Sequence, residues 1–184
     1  HTRYIYPSRQ ASQRGYSPLR YSIDYAWASA ETGDHYINDL DPHYAYNDQA
    51  CQAHGPGLLS PESACAPSVL LQIKQYLSDV KNHPNPHSLF IIWAGGNDFF
   101  NNMGKIIEEN KTSSQAVLLL KILNSPFPLV SDIAKNRPLS HAVENLKQAV
   151  VMLIQAGVPA QNIYVLNLPN LAETPAAQSF IKGN

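Results

Sequence analysis

The chain has 184 residues and a mass of 20.3 kDa, enough polypeptide for one domain. Apolar residues make up 44% and charged residues 15%, so a core is available and wholesale disorder is excluded. Thirteen Lys and Arg against fourteen Asp and Glu leave a net charge of -1, without the basic surplus of a nucleic-acid-binding module. Apolar stretches such as Ser88 to Ala94 are far too short to span a bilayer, and neither a coiled coil nor a basic arm is present. No signal peptide is visible and the chain opens on His1, so a preceding segment is expected to have been removed or left out.

In chain order, the first 20 residues, with Tyr4, Tyr6, Arg9, Arg14 and Tyr16, read as an irregular aromatic and basic segment. Ser22 to Ser29 reads as a short strand weakened by its alanines. Cys51 and Cys65 flank thirteen residues of turn formers and small polar residues. Two readings stand: a disulfide closing that loop, which would add roughly 3 kcal/mol and imply a secreted or periplasmic protein, or two separate buried thiols. Two cysteines so spaced lack the paired Cys/His pattern of zinc, so no metal site is expected, and no cofactor is implied. From Pro67 to Lys81, Leu70, Ile73, Leu77 and Val80 recur at the helical period, and Pro67 suits a helix start. His83-Pro-Asn-Pro ends it, and His83 and His87 read as loop residues rather than ligands.

Ser88 to Ala94 is the clearest strand, bounded by prolines before and Gly95-Gly96 after; its unbroken apolar run predicts burial on both faces. Helical pieces are expected at 116–123 and 129–135. Ser140 to Ala156 is the best helix, with Val143, Leu146, Val150, Leu153 and Ile154 on one stripe and Gly157 at its end. Asn162 to Asn167 reads as a second buried strand. Strand, helix and strand form a parallel crossover unit, so an α/β layered domain is predicted.

Ligands collect at the carboxyl ends of parallel strands, where three polar turns fall: 29–33, 95–98 and 167–170. In the middle turn two glycines permit a sharp bend, Asn97 offers an amide to an anion, and Asp98 is placed to bond neighbouring backbone and hold the turn. Gly-Gly-Asn-Asp is equally an ordinary turn sequence, and spacing alone leaves both readings open. Trp93 is expected in the core; Phe99 and Phe100 either pack there or line a groove. His141 falls within the amphipathic helix and reads as a solvated or capping residue.

Phe90-Ile-Ile-Trp-Ala-Gly-Gly-Asn-Asp-Phe99 resembles the third signature block of the GDSL, or SGNH, serine esterases and lipases. Asp24-Tyr-Ala-Trp-Ala-Ser-Ala30 is similar to that family's second block, and Tyr164 to Pro175 to a run found in its bacterial secreted members. The loop between the cysteines, Cys51 and Cys65, resembles that of the secreted lysophospholipase A type (Legionella-like). The resemblance spans roughly residues 20–180 and implies a single domain over 1–184. Its fold would be three-layer α/β/α with a parallel sheet in flavodoxin-like order, incomplete in this chain. It implies that Asn97 is an oxyanion-hole amide and that Ser29, standing where the family has glycine, supplies the second donor through its backbone N–H. Gly95, Gly96 and Asp98 would support them.

No Gly-Asp-Ser occurs in the chain, nor the family's closing Asp-x-x-His; His141 and Asp132 have the wrong order and spacing. The nucleophile and the Asp/His pair are therefore expected outside this chain, which by itself should not turn over substrate. The implied activity is hydrolysis of lysophospholipid or phospholipid esters, with acyl transfer to other alcohols, by a secreted or periplasmic bacterial enzyme. The alternatives are a carbohydrate or short-chain esterase on the same scaffold, or a non-catalytic module binding lipid or glycan. No nucleic acid or transmembrane segment is expected. The first-block strand of the family lies between those of blocks two and three. Without it, either the missing parts of the enzyme accompany the chain as separate polypeptide, or the strands pair unusually across the gap. The turn-rich loop 52–64, held at both ends, is also a candidate for proteolytic nicking that uncovers a cleft.

Overall fold

The computed structural model describes residues 5–28, 30–38, 57–60, 63–100, 137–170, 173–175 and 178. The expected helical pieces at 116–123 and 129–135 lie outside them, as do Ser29, Cys51 and Asp132.

The start of the chain is more ordered than its composition suggests. Ile5–Pro7 forms strand β1 and Ser8–Gln13 helix α1. β1 runs parallel to β2, Ser22–Asp24, with Ile5 opposite Ser22 and Pro7 opposite Asp24. Parallel neighbours need a crossover, and the segment containing α1 supplies it. β2 is shorter than the expected 22–29 strand because the Asp24 carboxylate accepts the Ala26 N–H at 2.9 Å, a local turn that takes the backbone out of extension.

A second sheet, unforeseen in the sequence, is antiparallel: β3, Tyr36–Asn38, and β4, Gly57–Ser60, flank β5, Ser63–Pro67. Cys65 lies in the central strand opposite Asn38 and Gly57, is fully buried, and is disulfide-bonded. Ser-Ala-Cys-Ala-Pro has little intrinsic strand preference, so pairing on both sides rather than propensity holds it extended. Pro67 therefore closes a strand instead of opening a helix.

Helix α2 follows at Val69–Asp79, as its periodicity predicts, with Val69, Leu70, Ile73, Tyr76 and Leu77 buried. Lys81 and Asn82 then adopt positive φ, 53° and 57°, and the Asn82 N–H returns to the Leu77 carbonyl at 2.7 Å. His83 and His87 are exposed beyond this turn, as read.

Strand β6, Phe90–Ile92, and strand β7, Ile163–Val165, pair in parallel with Phe90 opposite Ile163 and Ile92 opposite Val165. Helix α3, Arg137–Gln155, and a short 3-10 turn at Ala160–Asn162 come between them in the chain. Helices combined with a small parallel sheet give the α/β organisation expected. Burial on both strand faces is not found: Leu89, Ile91 and Trp93 are 61–67% exposed, and Tyr164, Val165 and Leu166 are exposed too. The strand alternates, turning Phe90, Ile92 and Ala94 toward the core and Ile91 and Trp93 away from it. Trp93 is thus not a core residue.

The core forms where α2 meets α3 over Ile92 and Val158. On α3 its centre is Ala149 and Leu153, with Leu146 and Val150 packed against it, not the bulkier Val143 and Ile154, which are exposed. Fully buried Ala149 marks the close approach to α2, where a larger side chain would hold the helices apart. Gly157, at φ 101°, ends the helix as predicted, its N–H bonding the Ile154 carbonyl at 2.9 Å. An edge-on aromatic row, Tyr25 to Tyr76 to Phe90, ties the segment after β2 to α2 and β6. Burial pushes the Tyr76 hydroxyl up to about 12; burial and then the bond to Asp79 raise that of Tyr25. β2 and β6 lie in separate sheets among the described residues, so neither pairs across the gap to the other. No helix of the described residues is long and apolar enough to cross a membrane.

Candidate functional site

Three turns meet beyond the carboxyl ends of β6 and β7. After β6 the chain passes Trp93 and Ala94 and turns at Gly95, whose φ of 108° strongly favours glycine. Residues 96–100 then coil as one helical turn, with the Phe99 N–H on the Gly95 carbonyl at 3.1 Å. Phe99 is buried and meets Phe100 edge-on at 5.3 Å, so the first of this pair packs inside. The run after β7 lies alongside: the Leu166 N–H extends the ladder to the Ile92 carbonyl at 2.8 Å, and Leu168 packs on Gly95 and Gly96.

The 30–33 turn joins them through side chains. Asn97 Nδ2 donates to the Ala30 carbonyl at 2.9 Å, although the residues are 67 apart in sequence. An amide NH2 has two hydrogens, so one fixes the side chain and the other is the donor this site can offer. Asp98, only 5% exposed, accepts the Thr32 N–H at 3.0 and 3.2 Å on its two oxygens and the Thr32 hydroxyl at 2.6 Å. The Asp98 carboxylate bonds its own backbone, as expected of a residue that holds the 95–98 turn, and in addition bridges to the distant 30–33 turn. Burial raises its pKa, the bonds from Thr32 work against that rise, and the nearby Glu31 adds to it. Asn145 of α3 completes the chain of bonds, donating to the Thr32 hydroxyl at 3.2 Å.

The same turn is anchored from behind. Buried Glu31 pairs with His35 at 3.0 Å between Oε2 and Nε2. The carbonyls of His35, Glu31 and Gly33 accept the N–H groups of Ser68, Val69 and Leu70 at 3.0, 2.9 and 3.2 Å. These are N–H groups that a helix start leaves without an intrahelical partner. Because the turn satisfies them, the Ser68 hydroxyl is not needed as a cap and finds no partner among the described residues, although it is fully buried. An ion pair between Lys74 and Asp34 ties the turn to the exposed side of α2.

Of the residues singled out in the sequence, Asn97, Asp98, Gly95 and Gly96 lie together here. Ser29, the neighbour of Ala30, is outside the described residues. Cys65 stands one strand away, in the sheet that continues from the 30–35 turn; Cys51 is outside the described residues. His141 is exposed on α3. Sequence reasoning missed Asn145 and Ser68, which no spacing distinguishes from other polar residues at a helix surface or start. It counted Glu31 and Thr32 only as turn residues. An Asn amide, a buried carboxyl and a packed glycine turn at strand ends can bind and orient a ligand oxygen. No family model matches the chain, and neither curated proteins nor solved structures yield a match.

Proposed function

We propose that this chain supplies the oxyanion-hole blocks of an SGNH-type carboxylic ester hydrolase acting on lysophospholipids or phospholipids. In this reading the fold is the three-layer α/β/α hydrolase fold, and the enzyme is secreted or periplasmic. A serine outside the chain attacks the ester carbonyl, the alcohol leaves, and water, or another alcohol, resolves the acyl-enzyme. The second amide hydrogen of Asn97 and the backbone N–H of Ser29 meet the negative charge that develops on the carbonyl oxygen. The observation that carries the reading is the 2.9 Å bond from Asn97 to Ala30, which puts the amide of the third-block resemblance against the loop of the second.

The test is hydrolysis of lysophosphatidylcholine by the intact gene product, with fluorophosphonate labelling of its serine. Asn97→Ala should lower kcat by ~10²–10³, the usual effect of losing one oxyanion donor. Hydrolysis of acetylated sugars but not of long-chain esters would replace the lipid substrate with the carbohydrate one. Absence of both labelling and ester hydrolysis, or full activity in Asn97→Ala, would overturn the reading.

A further inference from the structure

We infer that Asp98, Thr32 and Asn145 form a positioning relay that fixes where the Asn97 amide points. This deepens the proposed oxyanion role of Asn97 and rests on it for its catalytic consequence, though not for its structural one. Asn97 and Asp98 are consecutive, and both reach the 30–32 segment: one through a single bond to Ala30, the other through its two oxygens to Thr32. That one bond ties the amide to Ala30, but the amide's position in the molecule is then only as firm as the placing of the 30–33 turn against the 95–98 turn. The three contacts of its neighbour to one residue, all buried, supply that firmness by fixing the two turns against each other.

Asn145 brings a third element into the arrangement. Its amide donates to the Thr32 hydroxyl, so that hydroxyl accepts from α3 and donates to Asp98, and its orientation is set from both ends. α3 is also the helix whose Ala149 and Leu153 pack in the core, so the relay refers the turn at 95–98 to the most buried part of the molecule. A ligand-binding amide gains from such support, because a donor held in place loses little freedom when it meets its acceptor. Asp98, Thr32 and Asn145 need touch no substrate; they act through Asn97.

The experiment has two arms. In the first, the Asn97 side-chain amide is followed by 15N–1H NMR in the intact gene product, in wild type, Asp98→Asn, Thr32→Val and Asn145→Ala. Asp98→Asn puts a donor opposite the Thr32 N–H or hydroxyl, and the Asn97 resonances should shift and broaden. Thr32→Val should do the same, and Asn145→Ala more weakly. Unmoved Asn97 signals in a folded Asp98→Asn protein overturn the inference. If that variant does not fold, Asn145→Ala, which removes one bond at a half-buried site, decides in its place: unmoved signals there overturn it as well.

In the second arm, the intact gene product carrying Asn145→Ala should lose kcat on the order of 10-fold, less than the ~10²–10³ of direct donor loss, with KM unchanged. A loss that appears in KM alone, or no loss, overturns the catalytic consequence. A wild-type gene product that hydrolyses no ester defeats the proposed function, while the amide spectra still decide the relay.

Discussion

Leu168 packs against Gly95: a Cβ built on that glycine would lie 3.4 Å from Leu168 Cδ1, an ordinary van der Waals separation. The side chain therefore does not forbid alanine; the backbone does, because φ is 108°. Gly95→Ala should cost about 1–3 kcal/mol in urea denaturation, and Leu168→Ala in the same protein should not recover it. Recovery would mean that contact, not backbone conformation, demands the glycine.

Gly33 presents the opposite case. A Cβ there would come within 2.6 Å of the His35 ring, closer than real contacts allow. Gly33→Ala is expected to destabilise by about 1–3 kcal/mol through overpacking. In a His35→Ala background the ring is gone, so the added cost should largely vanish and the double-mutant cycle should show coupling of about 1 kcal/mol or more. Additive effects would place the strain elsewhere.

The Ser68 hydroxyl is buried with no hydrogen-bond partner among the described residues. Its removal takes away a desolvated polar group and no bond. Ser68→Ala should be neutral or stabilise by up to ~1 kcal/mol, as read from the denaturation midpoint. A loss beyond ~1 kcal/mol would show that the hydroxyl has a partner that matters.

Burial raises the pKa of Asp98 in the folded protein. Above its ordinary value near 4, the unfolded chain has released this proton while the folded one still holds it. The native state then binds more protons, so this group's contribution to stability is full below that value and is lost as pH rises through the raised folded pKa. Asp98→Asn cannot titrate. The stability of wild type minus that of the variant should therefore decline with rising pH from about 4 upward, the other titrations cancelling in the difference. A difference that increases with pH would reverse the direction of the shift.

Much of the frame is legible in the sequence because it rests on local rules. The spacing of Leu70, Ile73 and Leu77 announces α2, and Gly157 with its positive φ marks the end of α3. The parallel pairing of β6 with β7 follows from a strand, helix and strand in succession. The grouping of Asn97 and Asp98 at the end of β6 is likewise readable, since a glycine-rich turn after an apolar strand brings polar groups to that edge. Exposure of Trp93 and Ile91 is not, because an unbroken apolar run looks the same whether one face is covered or two.

What the sequence by itself determined is the local architecture: which segments coil, where they stop, and which polar turns stand at strand ends. Only the tertiary structure decided their partners. Asp98 meets Thr32, Asn97 meets Ala30, and Asn145 completes the chain of bonds from another helix, across separations of 66, 67 and 113 residues. Side-chain hydrogen bonds of that reach have no periodicity. They depend on how the 30–33 turn, the 95–98 turn and α3 are brought together by burial of apolar residues elsewhere, a property of the packed chain that no local segment encodes.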